Sequence, residues 1–196
     1  CRSASSGTGP LGLPANVMVP SSKPLALLIG ALGLGLLAYA SYLPSKALVA
    51  QVLLRLAWSE ARASGVSVRP WPSADTSPVA RLRFDRLAVD QVILAGASGR
   101  TLAFAPGWVE GTMRPGQTGN VVLSGHRDTH FAWLAELVRG DPLELEAVDG
   151  SVRRYRVADI DVHHVSETWL LDRSAADRLV LLTCYPFDAL NPGTLW

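Results

Sequence analysis

A mainly β domain, a barrel or sandwich with small helical insertions, preceded by one membrane-spanning helix, is the architecture this sequence predicts. Three observations carry the prediction. The run Leu25–Leu43 is apolar and uncharged, a Pro-rich stretch follows it, and from Val79 onward short runs rich in Val, Leu and Ile recur between turn signals. At 196 residues the chain suffices for one domain of ordinary size plus an appendage.

The apolar run reads LALLIGALGLGLLAYASYL. Crossing a bilayer core takes about 20 apolar residues. Tyr39 and Tyr42 stand toward one end, where amphipathic rings favour the interface. The glycines and the lack of a polar face count against a buried soluble helix. Ala38-Tyr39-Ala40 offers a signal-peptidase pattern, but the run is long for a cleaved leader, so an uncleaved anchor is expected. Lys23 precedes the run, and Lys46, Arg55 and Arg62 follow it. Counting charges alone would put the C-terminal part in the cytoplasm. Large domains translocate largely regardless of charge, so the expectation is a single-pass protein of the inner (cytoplasmic) membrane with its folded domain facing the periplasm or exterior. Residues 1–24, rich in Ser, Gly and Pro, are expected to be disordered. Cys1 stands where an initiator Met belongs, which predicts an incomplete or processed N-terminus, and no lipobox supports lipidation of Cys1.

After the anchor (25–43), Leu48–Ala63 lacks Gly and Pro and is built from good helix formers, with Gly65 as its stop. SVRPWPSADTSP then reads as a linker, so 44–76 is a juxtamembrane helix and linker and 77–196 the folded domain. Strands are predicted at Arg81–Phe84, Leu87–Leu94, Asn120–Ser124, Leu143–Val148, Val152–Val165 and Leu179–Thr183. Phe131–Val138 is expected to form about two helical turns, and Leu170–Arg178 a shorter one. Strands at this spacing suit an all-β barrel or sandwich.

The charge balance, 18 Lys and Arg against 17 Asp and Glu, lacks the basic excess of a nucleic-acid partner. The two cysteines, Cys1 and Cys184, give no disulfide framework. Two segments carry chemistry: LSGHRDTH around His126 and LTCYP around Cys184, each at the end of an apolar strand. A strand end is a rigid place from which to project a reactive side chain. Gly125 lets the backbone approach closely before His126, and Pro186 stiffens the exit from Cys184. A thiolate beside an imidazolium is an activated nucleophile, and His is the natural proton donor to a leaving amine. A Cys and a His by themselves are weak evidence, because the pairing must be made in space.

The order His then Cys, in GHRDTHF and LLTCYP, resembles the sortase family. PWPSADTSPVARL together with GHRDTHF is similar to sortases of Gram-negative marine proteobacteria. The resemblance covers roughly Pro70–Trp196. It implies a closed β-barrel of eight strands and a cysteine transpeptidase that needs no organic cofactor; from the residues themselves no metal site is expected. It implies Cys184 as nucleophile and His126 as general acid/base. The implied partners are a secreted protein bearing an LPxTG-like sorting signal, an amine acceptor and the lipid bilayer. The family also uses an Arg on the strand after the Cys. No Arg follows Cys184, and NPGTLW looks like a turn entering a strand, so the Arg is expected beyond Trp196. Arg127 would stand in for it only by pointing into the cleft.

Secondary candidates are Asp128, Arg127, Thr183 and Tyr185. Asp128 can orient His126 or serve as a loop or capping carboxylate, and Thr129 is placed to cap the helix that follows. His126 and His130 have the four-residue spacing of a helical metal site, but Gly125 and Asp128-Thr129 favour a loop. His163 and His164 would face opposite sides of a strand. Trp108, Trp133 and Trp169 read as core or rim, with Trp133 and Tyr185 near enough to the chemistry to meet an apolar peptide residue. Two other functions compete. An L,D-transpeptidase typically carries S-x-G-C-x-R, from which Thr183-Cys184-Tyr185-Pro186 departs; a catalytically weak, membrane-anchored peptide-binding domain is favoured only if the Arg is truly missing.

Overall fold

The computed structural model describes residues 23–172 and 176–188. The chain divides into two compact units at the Leu43–Pro44 boundary, and helix α1 (Lys23–Ser64) contributes to both. In the first unit Leu25, Leu28, Ile29, Leu32 and Leu36 are all exposed. This stretch is long and apolar enough to cross a bilayer, and none of its most apolar window is buried in protein. Residues 1–22, within the segment expected to be disordered, lie outside the described residues.

In the second unit the later turns of α1 bury Ala50, Leu54, Ala57, Trp58 and Ala61. These positions fall on one helical stripe, as an amphipathic helix requires. Leu54 packs with Leu94 and Ala105, flanked by Trp71, Val92 and Phe104. Arg62 Nε donates to Glu146 Oε1 at 2.8 Å, and Gln51 Nε2 donates to the Phe104 carbonyl at 2.6 Å. The predicted helix Leu48–Ala63 lies inside α1, and Trp71 of the predicted linker meets Phe104 edge-on at 5.0 Å.

Seven strands form one sheet: β1 (Pro78–Phe84), β2 (Val89–Ala95), β3 (Gly107–Trp108), β4 (Asn120–Ser124), β5 (Pro142–Ala147), β6 (Val152–Arg156) and β7 (Arg178–Leu182). Their order is β6-β5-β1-β2-β3-β4-β7. Pairs β2–β3 and β4–β7 are parallel, and the rest are antiparallel. Alternation sends Ala80, Leu82, Ile93, Trp108, Val121, Leu123 and Leu145 into one core with Phe131. Tyr155 of β6 and Leu179 and Leu181 of β7 pack on that core from the two ends of the sheet, so the sheet is curled upon itself. Arg153 of β6 reaches Asp177, next to β7, with Nη1 to Oδ2 at 2.6 Å. The result is the expected mainly β fold, a nearly closed barrel with short helices and an N-terminal apolar helix. Seven strands lie among the described residues where the resemblance implied eight; NPGTLW, expected to enter a further strand, lies outside them.

Several boundaries differ from expectation, each for a local reason. The second strand begins at Val89, because Asp85–Leu87 forms a 3-10 turn closed by Ala88 at φ 51°. β3 has no counterpart among the expected strands; it is two residues long, and an added Cβ on Gly107 would stand 2.1 Å from the Gly96 carbonyl oxygen, so only glycine fits. The strand expected over Val152–Val165 stops at Arg156. Beyond it Asp159 accepts from its neighbour's amide, Ile160 N, at 3.0 Å and pairs with Arg139, diverting the backbone from the ladder. Phe131–Val138 gives one 3-10 stretch, Ala132–Glu136. Its N-cap is Phe131, without a side-chain cap, so Thr129 does not cap it. The second short turn runs Thr168–Leu171, earlier than expected.

Candidate active site

β4 and β7 are parallel neighbours, in register from Asn120 opposite Arg178 to Ser124 opposite Leu182. His126 and Cys184 each follow two residues beyond the last pair. Adjacent strands lie about 4.8 Å apart, so the topology brings the two segments side by side at one rim of the barrel. The pairing continues past the ladder. Gly125 N donates to the Leu182 carbonyl at 3.1 Å, and Thr183 Oγ1 donates to the Gly125 carbonyl at 2.9 Å. Both His126 and Cys184 are exposed, and Cys184 is a free thiol.

The His126 turn is built from the core outward. The His126 carbonyl accepts from Phe131 N at 2.9 Å. Phe131 is fully buried and packs edge-on against Trp133 at 5.9 Å, which in turn lies 5.7 Å from Phe84. Gly125 is required beneath it: an added Cβ would come within 2.8 Å of the Phe131 ring. The His130 carbonyl accepts from Gln91 Nε2 of β2 at 2.7 Å. Burial pushes the half-buried His130 imidazole below its ordinary value; the nearby His126 ring adds to that shift and the Ala103 backbone opposes it. His130 therefore stays neutral near pH 7 while standing beside His126.

The Cys184 turn leans on the His126 turn. Arg127 Nη1 donates to the Pro186 carbonyl at 2.7 Å, joining the residue after His126 to the second residue after Cys184. Tyr185 is exposed and meets Phe187 edge-on at 6.4 Å. Asp128 is exposed and makes no hydrogen bond to the His126 ring among the described residues. Of the tryptophans, Trp108 is core, with Nε1 donating to the Met113 carbonyl at 2.9 Å; Trp133 packs on the core; Trp169 is exposed.

Asn120, which sequence reasoning passed over, pins the strand pair at its other end. Fully buried, it donates through Nδ2 to the Leu170 and Asp172 carbonyls, each at 2.8 Å, and accepts from Arg178 Nε at 2.9 Å. An amide heading an apolar strand was the available signal, since a buried amide needs all its partners. The remaining histidines serve the loop between β6 and β7. His163 faces Glu167 at 3.3 Å, and His164 Nδ1 lies 2.8 Å from Ser166 Oγ. Among the described residues no three His, Cys, Asp or Glu side chains gather to hold a metal ion.

A family model described as Sortase domain matches residues 82–194. Sortase D of Bacillus subtilis (strain 168) is 30% identical over 108 residues, 55% of this chain and 54% of that protein. The chain thus spans about half the length of this curated relative. Among solved structures, Sortase A from Corynebacterium diphtheriae aligns with TM-score 0.53 and 27% identity, over 59% of this chain and 57% of that one. Sortase C-1 from Actinomyces oris aligns with TM-score 0.52 and 31% identity, over 57% and 65% of the two chains.

Proposed function

The chain belongs to the sortase family, and from that premise we propose that it is a cysteine transpeptidase with Cys184 as nucleophile and His126 as general acid/base. The substrate is a secreted protein with an LPxTG-like C-terminal sorting signal. The Cys184 sulfur, as thiolate, attacks the Thr carbonyl carbon of the signal. The tetrahedral oxyanion collapses, the peptide C–N bond breaks, and His126 gives its proton to the departing amine. The acyl group remains on sulfur as a thioester. An incoming amine, or water, attacks that carbonyl, His126 takes the proton, and the thiolate leaves.

The observation that supports this most is the parallel register of β4 and β7, which sets His126 and Cys184 at matched positions on adjoining strand ends. Two hydrogen bonds beyond the ladder hold the ends together there. We assign catalysis to 77–196, with 44–76 as its juxtamembrane support and the apolar helix as a single-pass anchor. The catalytic domain faces away from the cytoplasm.

Full-length protein in detergent, mixed with an LPxTG-type peptide and an amine, should yield a thioacyl adduct on Cys184 by mass spectrometry and a transpeptidated product. Binding without any adduct would sink the enzymatic reading. Protease added to intact spheroplasts should cut beyond Lys46; complete protection would reverse the topology.

A further inference from the structure

The side chain of Arg127 lies across the two turns that carry the reactive groups. Its Nη1 donates to the Pro186 carbonyl at 2.7 Å. On the other flank, Thr183 Oγ1 donates to the Gly125 carbonyl at 2.9 Å. The two contacts enclose a small ring of chain: Gly125-His126-Arg127 on one side, Thr183-Cys184-Tyr185-Pro186 on the other. Both His126 and Cys184 sit inside this ring, one on each side, past the point where strand hydrogen bonds hold them. A guanidinium bound to a neutral carbonyl keeps its charge, and a charge-assisted hydrogen bond is stronger than a neutral one. Thr183 ties the chain just before Cys184 to the His126 turn, and Arg127 ties the chain just after it.

We propose that Arg127 is a positioning residue, which fixes the distance between the Cys184 sulfur and the His126 ring by tethering the chain after Cys184 to the chain after His126. The proposal rests on the assignment of Cys184 and His126 above. It gives Arg127 a task distinct from contact with substrate, because its Nη1 donates to the protein's own backbone at Pro186. Displacing a reacting group by about 1 Å can cost up to a hundredfold in rate, so a tether at this place acts on turnover more than on binding.

The test compares wild type, Arg127→Ala and Arg127→Lys, each as full chain in detergent. It reads kcat and KM for peptide transfer, the melting temperature, and amide exchange over residues 183–188. Arg127→Ala should lower kcat by about tenfold or more with KM within about twofold. Exchange should quicken over 183–188 while the melting temperature holds. Arg127→Lys keeps one donor of suitable reach and should recover much of both. Wild-type kcat in the Ala variant overturns the proposal. So does a fall in kcat that comes with a lowered melting temperature and faster exchange throughout the barrel, and so does a Lys variant no better than Ala. If wild type transfers nothing from any peptide, the proposed function fails, and exchange alone judges the tether: faster exchange over 183–188 in the Ala variant sustains it, unchanged exchange overturns it.

Discussion

The two turns at the rim of the barrel are held in opposite ways. The His126 turn is rooted in the core: its carbonyl is bonded by Phe131 N, Phe131 is fully buried, and Gln91 holds the His130 carbonyl from β2. In the Cys184 turn, Thr183, Pro186 and Phe187 are half-buried, and hydrogen bonds from Thr183 and Arg127 join it to the His126 turn. Among the described residues, the first turn is anchored on a buried ring and the second is joined to the first by polar contacts. Packing energy scales with buried area and tolerates little loss, whereas a single hydrogen bond contributes only about 0.5–1.5 kcal/mol net. The difference teaches that changes on the His side should act through stability, and changes on the Cys side through rate.

Removing either reactive group gives the largest effect and ignores the asymmetry. Cys184→Ala and His126→Ala should each abolish peptide transfer at unchanged melting temperature; transfer surviving in either refutes the assigned roles. Phe131→Ala probes the rooted side. Truncating a buried Phe costs about 3–5 kcal/mol, which for a domain of this size lowers the melting temperature by roughly ten degrees. A melting curve that does not move would show that the His126 turn is not held by packing. Thr183→Val probes the other side. It removes the donor to the Gly125 carbonyl while keeping the shape, and should cut kcat severalfold with at most about 1 kcal/mol lost in denaturant unfolding. A large loss of stability with normal kcat would erase the contrast.

The smallest expected effect concerns pH. The folded His130 imidazole titrates below its ordinary value, chiefly through burial. The folded state therefore binds fewer protons there than the unfolded chain. Its contribution to stability is full above about 6.5, the unfolded value, and declines as pH falls through 6.5 toward the lower folded value. Urea unfolding of wild type should show this loss as pH is lowered through about 6.5, and His130→Gln should show less of it. Equal slopes would mean that His130 is solvated and that the rooted side is looser than described.

Much of this is legible in the sequence, and what is hidden has a common cause. β4 can be read to the residue from NVVLS, because an apolar run bounded by Asn120 and Gly125 leaves no other period. β7 lies one residue earlier than its apolar run suggests, since Arg178, a charged residue, joins the strand through its pairing with Asn120 of β4, whose amide oxygen accepts from its guanidinium. The candidates His126 and Cys184 are legible because each follows an apolar strand in a motif of known type. The parallel adjacency of those strands is not, for no local pattern encodes a pairing made across the chain. β3 is invisible for the same reason: two residues take their conformation from partners on either side. The Arg127 tether ends on the Pro186 backbone carbonyl, and a carbonyl has no signature in a sequence. The capping role expected of Thr129 fails because the segment it would start is a 3-10 stretch over Ala132–Glu136 whose N-cap position is Phe131, a side chain committed to the core.

The bond from Thr183 to Gly125 joins residues 58 apart in the chain. Contacts of such separation form late, because loop closure must be met before they reward it. During folding Cys184 therefore travels without His126 beside it, and the two are brought together only once the last described strand has slotted beside β4. On the roles proposed for these two residues, a newly made molecule is thus expected to remain chemically silent until β7 has paired with β4. Refolding sampled by quenched amide exchange should show protection in the β1–β2 hairpin before protection in β4 and β7; the reverse order would mean the reactive pair is ready ahead of the fold around it.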